Sequence, residues 1–115
     1  MAWYFNPHSG GKPVTPQVQR RIRARIEAHA AAEYRGRYDR LEVRFRGVFC
    51  YVDAYRGSSS HPVHLVRLRY SGSDDRWSLA FYTYSHERYE PCVFADGSWQ
   101  GSPEDAFDIG AVYLQ

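Results

Sequence analysis

Between residues 41 and 84 apolar and polar side chains alternate with a period of two, and short polar breaks cut the alternation into strand-length pieces. That pattern excludes an all-helical chain, because a helix needs its apolar positions three and four apart. Leu41-Glu42-Val43-Arg44-Phe45 reads as a half-buried strand that ends at Gly47. Val48 to Tyr55 is apolar on both faces, as expected of a central strand. Val63 to Tyr70 places Arg67 and Arg69 on one face and Val66, Leu68 and Tyr70 on the other. Trp77 to Ser85 sets Trp77, Leu79 and Phe81 against Ala80, Tyr82 and Tyr84. Cys92-Val93-Phe94 and a turn at Asp96-Gly97 predict a short last hairpin ending near Trp99.

Two helix starts bracket these strands. Thr15-Pro16 supplies an N-cap and a proline at the first helical position, and the helix should run from Pro16 to about Tyr34 and stop near Gly36. At 100° per residue Val18, Ile22, Ile26, His29 and Glu33 form a stripe about 80° wide that must face the sheet. Ala24, Ala28, Ala31 and Ala32 make a small-residue flank suited to close packing, while Arg20 and Arg23 should meet water. Ser102-Pro103-Glu104-Asp105 repeats the start signal, with acids in the first turn, and Phe107, Ala111 and Leu114 share one face. Consecutive strands with short connections pair antiparallel. The expected fold is therefore α+β: an N-terminal helix and a short C-terminal helix packed on a curved antiparallel sheet of four to six strands. At 115 residues the whole chain, 1–115, should be one domain.

Charge is distributed unevenly. Residues 1–46 carry ten Lys/Arg against four Asp/Glu, a net of +6, whereas residues 86–115 carry one against six, a net of −5. Either the acidic last helix pairs with the basic first one, or the basic region meets an external anion. Cys50 and Cys92 sit in apolar runs, too few for a disulfide scaffold. No signal peptide or membrane span is evident, so a soluble cytoplasmic protein with reduced thiols is expected.

The opening Trp3-Tyr4-Phe5-Asn6-Pro7-His8-Ser9-Gly10-Gly11, the stretch Phe45-Arg46-Gly47 with Phe49-Cys50-Tyr51, and Phe81-Tyr82-Thr83-Tyr84-Ser85-His86-Glu87 resemble a family of short uncharacterised bacterial proteins. The resemblance spans nearly the whole chain and implies a small bacterial cytosolic protein, with no known activity. Arg46-Gly47 followed by Phe49-Cys50-Tyr51-Val52 is also similar to the RNA-recognition-motif signature, with Val48 inserted and Ala54 where its last aromatic belongs. The element order differs from that motif, so the similarity is one of surface chemistry.

Fourteen Arg and ten Tyr accompany a single lysine, Lys12. Both residue types present flat polar surfaces that stack and hydrogen-bond, outward to a planar or anionic partner or inward to each other. The first expectation is a small binding module offering an Arg/Tyr-rich sheet to nucleic acid or to a protein partner. Its charge would come from Arg44, Arg46, Arg67 and Arg69, and its stacking surface from Tyr51, Tyr70, Tyr82 and Tyr84. The alternation implies that not all of these share a face. Arg20, Arg21, Arg23 and Arg25, with Arg35, Arg37 and Arg40, form a basic helix and exit that would attract a phosphate backbone.

The rival expectation is an enzyme doing acid–base chemistry on a small molecule in a Tyr/His/Glu pocket. His29 and Glu33 lie one turn apart, in position for a carboxylate to orient an imidazole. Asp53, between Tyr51 and Tyr55, needs a partner if buried, and Arg or Tyr is the obvious choice. Tyr82 and His86 lead a cluster with Tyr84, Glu87, Tyr89 and Glu90. Were His29, Glu33, Asp53, Tyr82 and His86 to converge, they would form such a pocket. His61 and His64 have the spacing of two metal ligands, short of the three or four zinc takes, and no metal or cofactor is expected. Ser9-Gly10-Gly11-Lys12 before the helix lacks the pattern of a phosphate-binding loop. Exposed aromatics leave a homodimer seam as a third expectation.

Overall fold

A computed structural model describes residues 10–115. In chain order the elements are α1 (Pro16–Glu33), β1 (Arg40–Arg46), β2 (Phe49–Tyr55), β3 (Val63–Ser73), β4 (Arg76–Thr83), β5 (Arg88–Cys92), β6 (Gln100–Gly101) and α2 (Pro103–Gly110). A 3₁₀ turn over Ala111–Leu114 follows α2. The strands form one six-stranded antiparallel sheet in the order β1-β2-β3-β4-β5, with β6 added beside β4. The α+β architecture expected from the sequence is the one observed.

Local chemistry sets the helix boundaries. The Thr15 hydroxyl accepts from the Val18 amide, and the Ser102 hydroxyl accepts from the Asp105 amide, with proline next in both. Gly36, just past α1, has φ 82°, which a side chain would oppose.

Both helices cover the same face of the sheet. Val18, Ile22, Ile26 and Ala30 of α1 and Ala106 and Phe107 of α2 meet Val43, Cys50, Val52, Val66, Leu68, Trp77 and Leu79 in one core. Burying each isoleucine contributes about 1.5–3 kcal/mol. Gly110 sits tight on β3: a β-carbon there would lie 2.7 Å from Val66 Cγ1 and 3.0 Å from the Leu65 backbone.

Several expectations are corrected. The flank of Ala24, Ala28, Ala31 and Ala32 is exposed, and Ala30 packs instead. Glu33 is exposed as well, at the last position of the helix. Arg23 turns inward: its guanidinium lies 5.2 Å from the Phe45 ring and donates to the Val43 carbonyl. The hairpin expected over residues 92–99 is a tight turn, with the Phe94 amide donating to the Ser98 carbonyl and β6 pairing back onto β4.

The uneven charge resolves into a clasp between the first and last helices. Arg25 donates to both carboxylate oxygens of Glu104 at 2.7 and 2.8 Å and to Asp75 at 2.7 Å. His29 Nε2 lies 2.7 Å from Asp108 Oδ1, to which the Tyr34 hydroxyl also donates at 2.7 Å. Burial first, and then Asp108, push the Tyr34 phenol up to about 12.

Candidate functional site on the far face of the sheet

The face turned away from the helices has a different composition. Strand register assigns it Arg40, Glu42, Arg44 and Arg46 from β1 and Phe49, Tyr51, Asp53 and Tyr55 from β2. Arg67 and Arg69 of β3 lie opposite Tyr51 and Phe49. Across β4, Ala80 and Ser78 are opposite these arginines, and Tyr82 pairs with Tyr89 of β5.

Asp53 is the centre of this face and only 1 % exposed. One carboxylate oxygen accepts from Arg44 Nη2 at 2.9 Å, and the other lies 2.8 Å from His64 Nδ1. Buried, the carboxylate is held by two partners, as such a group requires. Arg44 also reaches Glu42 at 3.1 Å and stacks 5.0 Å over Tyr51. The His64 main-chain amide donates to the Tyr84 hydroxyl at 2.8 Å, which fixes this end of β3. Nε2 of His64 makes no hydrogen bond with any described residue, and the side chain keeps 32 % of its exposure.

Aromatic rings surround the pair. The His64 imidazole lies 4.7 Å from the Tyr82 ring and 6.3 Å from the Tyr89 ring. Tyr89 also lies 5.0 Å from Tyr82 and 5.8 Å from Tyr51. Three strand spacings separate β5 from β2, roughly 14 Å in a flat sheet. The rings meet nonetheless, and in the row of Tyr51 the β4 residue is Ala80, which offers no bulk. Arg67 completes the group, 4.5 Å from the Phe49 ring and 5.5 Å from Tyr89, within reach of cation–π attraction. The Tyr89 hydroxyl is buried with no hydrogen-bond partner among the described residues. Burial, followed by the charge of Asp53, pushes its pKa well above the ordinary phenol value.

The binding residues expected from the sequence divide between places. Arg44, Arg46, Arg67, Arg69, Tyr51 and Tyr82 share the far face. Arg44 and Arg46 are exposed, while Arg69 is 8 % exposed. Burial and neighbouring Arg67 lower the Arg69 pKa. Tyr70 departs from the set: it points to the helix side, 8 % exposed and 4.9 Å from Trp77. Tyr84 lies beyond the end of β4, between Tyr82 at 4.8 Å and Tyr113 at 5.0 Å.

The five acid–base candidates do not converge. His29 joins Asp108 in the helix clasp, and Glu33 is exposed on α1. His86 pairs with Glu90 at 2.5 Å beside the β4–β5 turn. Only Asp53 and Tyr82 stand together, and the imidazole beside them is His64. Alternation counted back from Arg69 and Arg67 assigns the next far-face position to residue 65. A bulge opposite Val52 and Asp53 inserts one residue, so Leu65 is buried and His64 becomes the partner of Asp53. The available signal was the pair Leu65-Val66, two consecutive apolar residues in an alternating strand.

No protein-family model, curated protein or solved structure matches the chain. The class of protein defined by the fold is thus an α+β domain with two helices on one side of an open antiparallel sheet. The Trp3-Tyr4-Phe5 cluster and most of the Asn6–Lys12 turn, including His8, lie outside the described residues. No helix among the described residues is long and apolar enough to cross a membrane.

Proposed function

We propose that the far face binds single-stranded nucleic acid. The observation that carries this is the placement of exposed Arg44 and Arg46 beside half-buried Phe49, Tyr51, Tyr82 and Tyr89, with Arg67 among the rings. Such a strip offers phosphates a row of guanidinium groups and offers bases π-faces to stack on. Single strands fit better than duplex, because stacking requires unpaired bases. We place the protein in the cytoplasm of a bacterium, where Cys50 and Cys92 stay as thiols; both are free here, and burial raises the pKa of each.

Anisotropy titrations of labelled single-stranded RNA, single-stranded DNA and duplex DNA at two salt concentrations test the proposal. Saturable, salt-sensitive binding to the single strands is expected. Arg46→Ala with Arg67→Ala should weaken it and flatten the salt slope by about 0.7 for each phosphate no longer neutralised. Absence of binding to any of the three would remove nucleic acid and leave a protein partner, or a second copy of the chain, as the reading to pursue.

The other reading, acid–base chemistry, is favoured by one observation. An aspartate–imidazole pair with its outer nitrogen unengaged lies within the same strip.

A further inference from the structure

We propose that this strip also cuts the RNA it binds, with His64 Nε2 as general base; the inference rests on the binding reading above. Asp53 is fixed by Arg44 on one oxygen and takes the His64 Nδ1 hydrogen on the other. That arrangement holds neutral imidazole in the tautomer whose lone pair is on Nε2, the nitrogen without a hydrogen-bond partner among the described residues. Two guanidinium groups share the face with it, the kind of donor that a charged phosphoryl transition state requires. Arg44 is tied to Asp53, Arg67 lies 5.5 Å from the Tyr89 ring, and that ring lies 6.3 Å from the imidazole. The Tyr89 hydroxyl, buried and without a partner among the described residues, is a further polar group that a ligand oxygen would satisfy.

An imidazole base with arginines and aromatic stacking surfaces matches the self-cleaving tendency of one polymer. RNA carries its own nucleophile, the 2′-hydroxyl, next to the phosphate. The 2′-oxygen attacks the adjacent phosphorus and its proton passes to His64 Nε2. The O2′–P bond forms as the P–O5′ bond breaks, the departing 5′-oxygen takes a proton from water, and the hydroxide so formed is neutralised by the proton that His64 Nε2 gives back. The products are a 2′,3′-cyclic phosphate and a 5′-hydroxyl. No electrons leave or enter, and no further reactant is needed. DNA of the same sequence should be bound and left whole.

The test incubates the full chain with an end-labelled single-stranded RNA, its all-DNA counterpart, and an RNA whose one 2′-hydroxyl is replaced by hydrogen, all in EDTA. Cleavage of the RNA to cyclic-phosphate ends is expected, with the DNA intact and the cut lost at the modified position. His64→Ala should slow cleavage about 100-fold or more while changing affinity far less. Asp53→Asn should slow it too, and thermal melting of both variants verifies that they fold. RNA that is bound but stays whole overturns this inference and leaves the binding reading standing. Failure to bind overturns both. Cleavage that persists in His64→Ala overturns the assignment of the base.

Discussion

The two faces of the sheet are built by the same strands and hold together in different ways. On the helix side Val52, Val66, Leu68 and Leu79 close against α1 and α2, and apolar burial supplies the stability. On the far side no helix of the described residues lies over the strands. Order there comes from Asp53 holding Arg44 and His64, and from arginines stacked on Phe49, Tyr51 and Tyr89. The first face has little chemistry to offer a ligand. The second keeps two groups, His64 Nε2 and the Tyr89 hydroxyl, that no described residue engages within its stabilising network. Residues that stabilise the far face are thus also the ones a ligand would meet.

The contrast can be broken or sharpened by mutation. Ile26→Ala removes a fully buried side chain from the helix side and should lower the unfolding free energy by about 2–5 kcal/mol in urea titration. A much smaller loss would mean that the helix layer is not the main source of stability.

The clasp should give a smaller, pH-dependent effect. The hydrogen bond from Arg25, opposed in part by burial, holds the Glu104 carboxyl below its ordinary value of 4.5. Its contribution is therefore complete above pH 4.5 and is lost as pH falls through the lowered folded value. Urea titrations between pH 7 and pH 3 should show Glu104→Gln less stable at neutral pH, by under about 1 kcal/mol for so exposed a pair. The gap to wild type should narrow in acid. A constant gap would show that the pair contributes by packing and not by charge.

The smallest shift is expected on the far face. Tyr89→Phe deletes a buried hydroxyl that has no partner, so stability should hold or rise, within about 1 kcal/mol. A clear loss by thermal melting would show that the hydroxyl is engaged. Unchanged stability with weaker RNA binding would identify it as a group kept for a ligand.

Much of the fold was legible because its determinants are local. Thr15-Pro16 and Ser102-Pro103 each announce a helix within a few residues, and Leu68 between Arg67 and Arg69 declares two faces. What depends on distant chain segments was not. Pairing of β6 with β4, rather than within its own hairpin, joins residues over twenty positions apart. His64 was hidden by a single extra residue in β3, which shifts the parity of everything before it. Tyr89 was grouped with Tyr82, but nothing in the sequence tells that its ring crosses Ala80 to reach Tyr51. Asp53 was visible as an anomaly, and so was its need for a partner such as an arginine, which Arg44 supplies; the second partner, His64, was not readable.

The clasp between Arg25 and Glu104, 79 positions apart, has a consequence in time. During synthesis the strands emerge in the order in which they neighbour one another, so β1 to β5 can pair as they appear. The apolar side of β3 stays uncovered until residues 103–114 are out, because α2 and the turn after it supply Phe107 and Leu114. Covering of this side waits for residues 103–114, and a product stalled or cut before them would present Leu65 and Val66 to whatever chaperone or protease reaches them first.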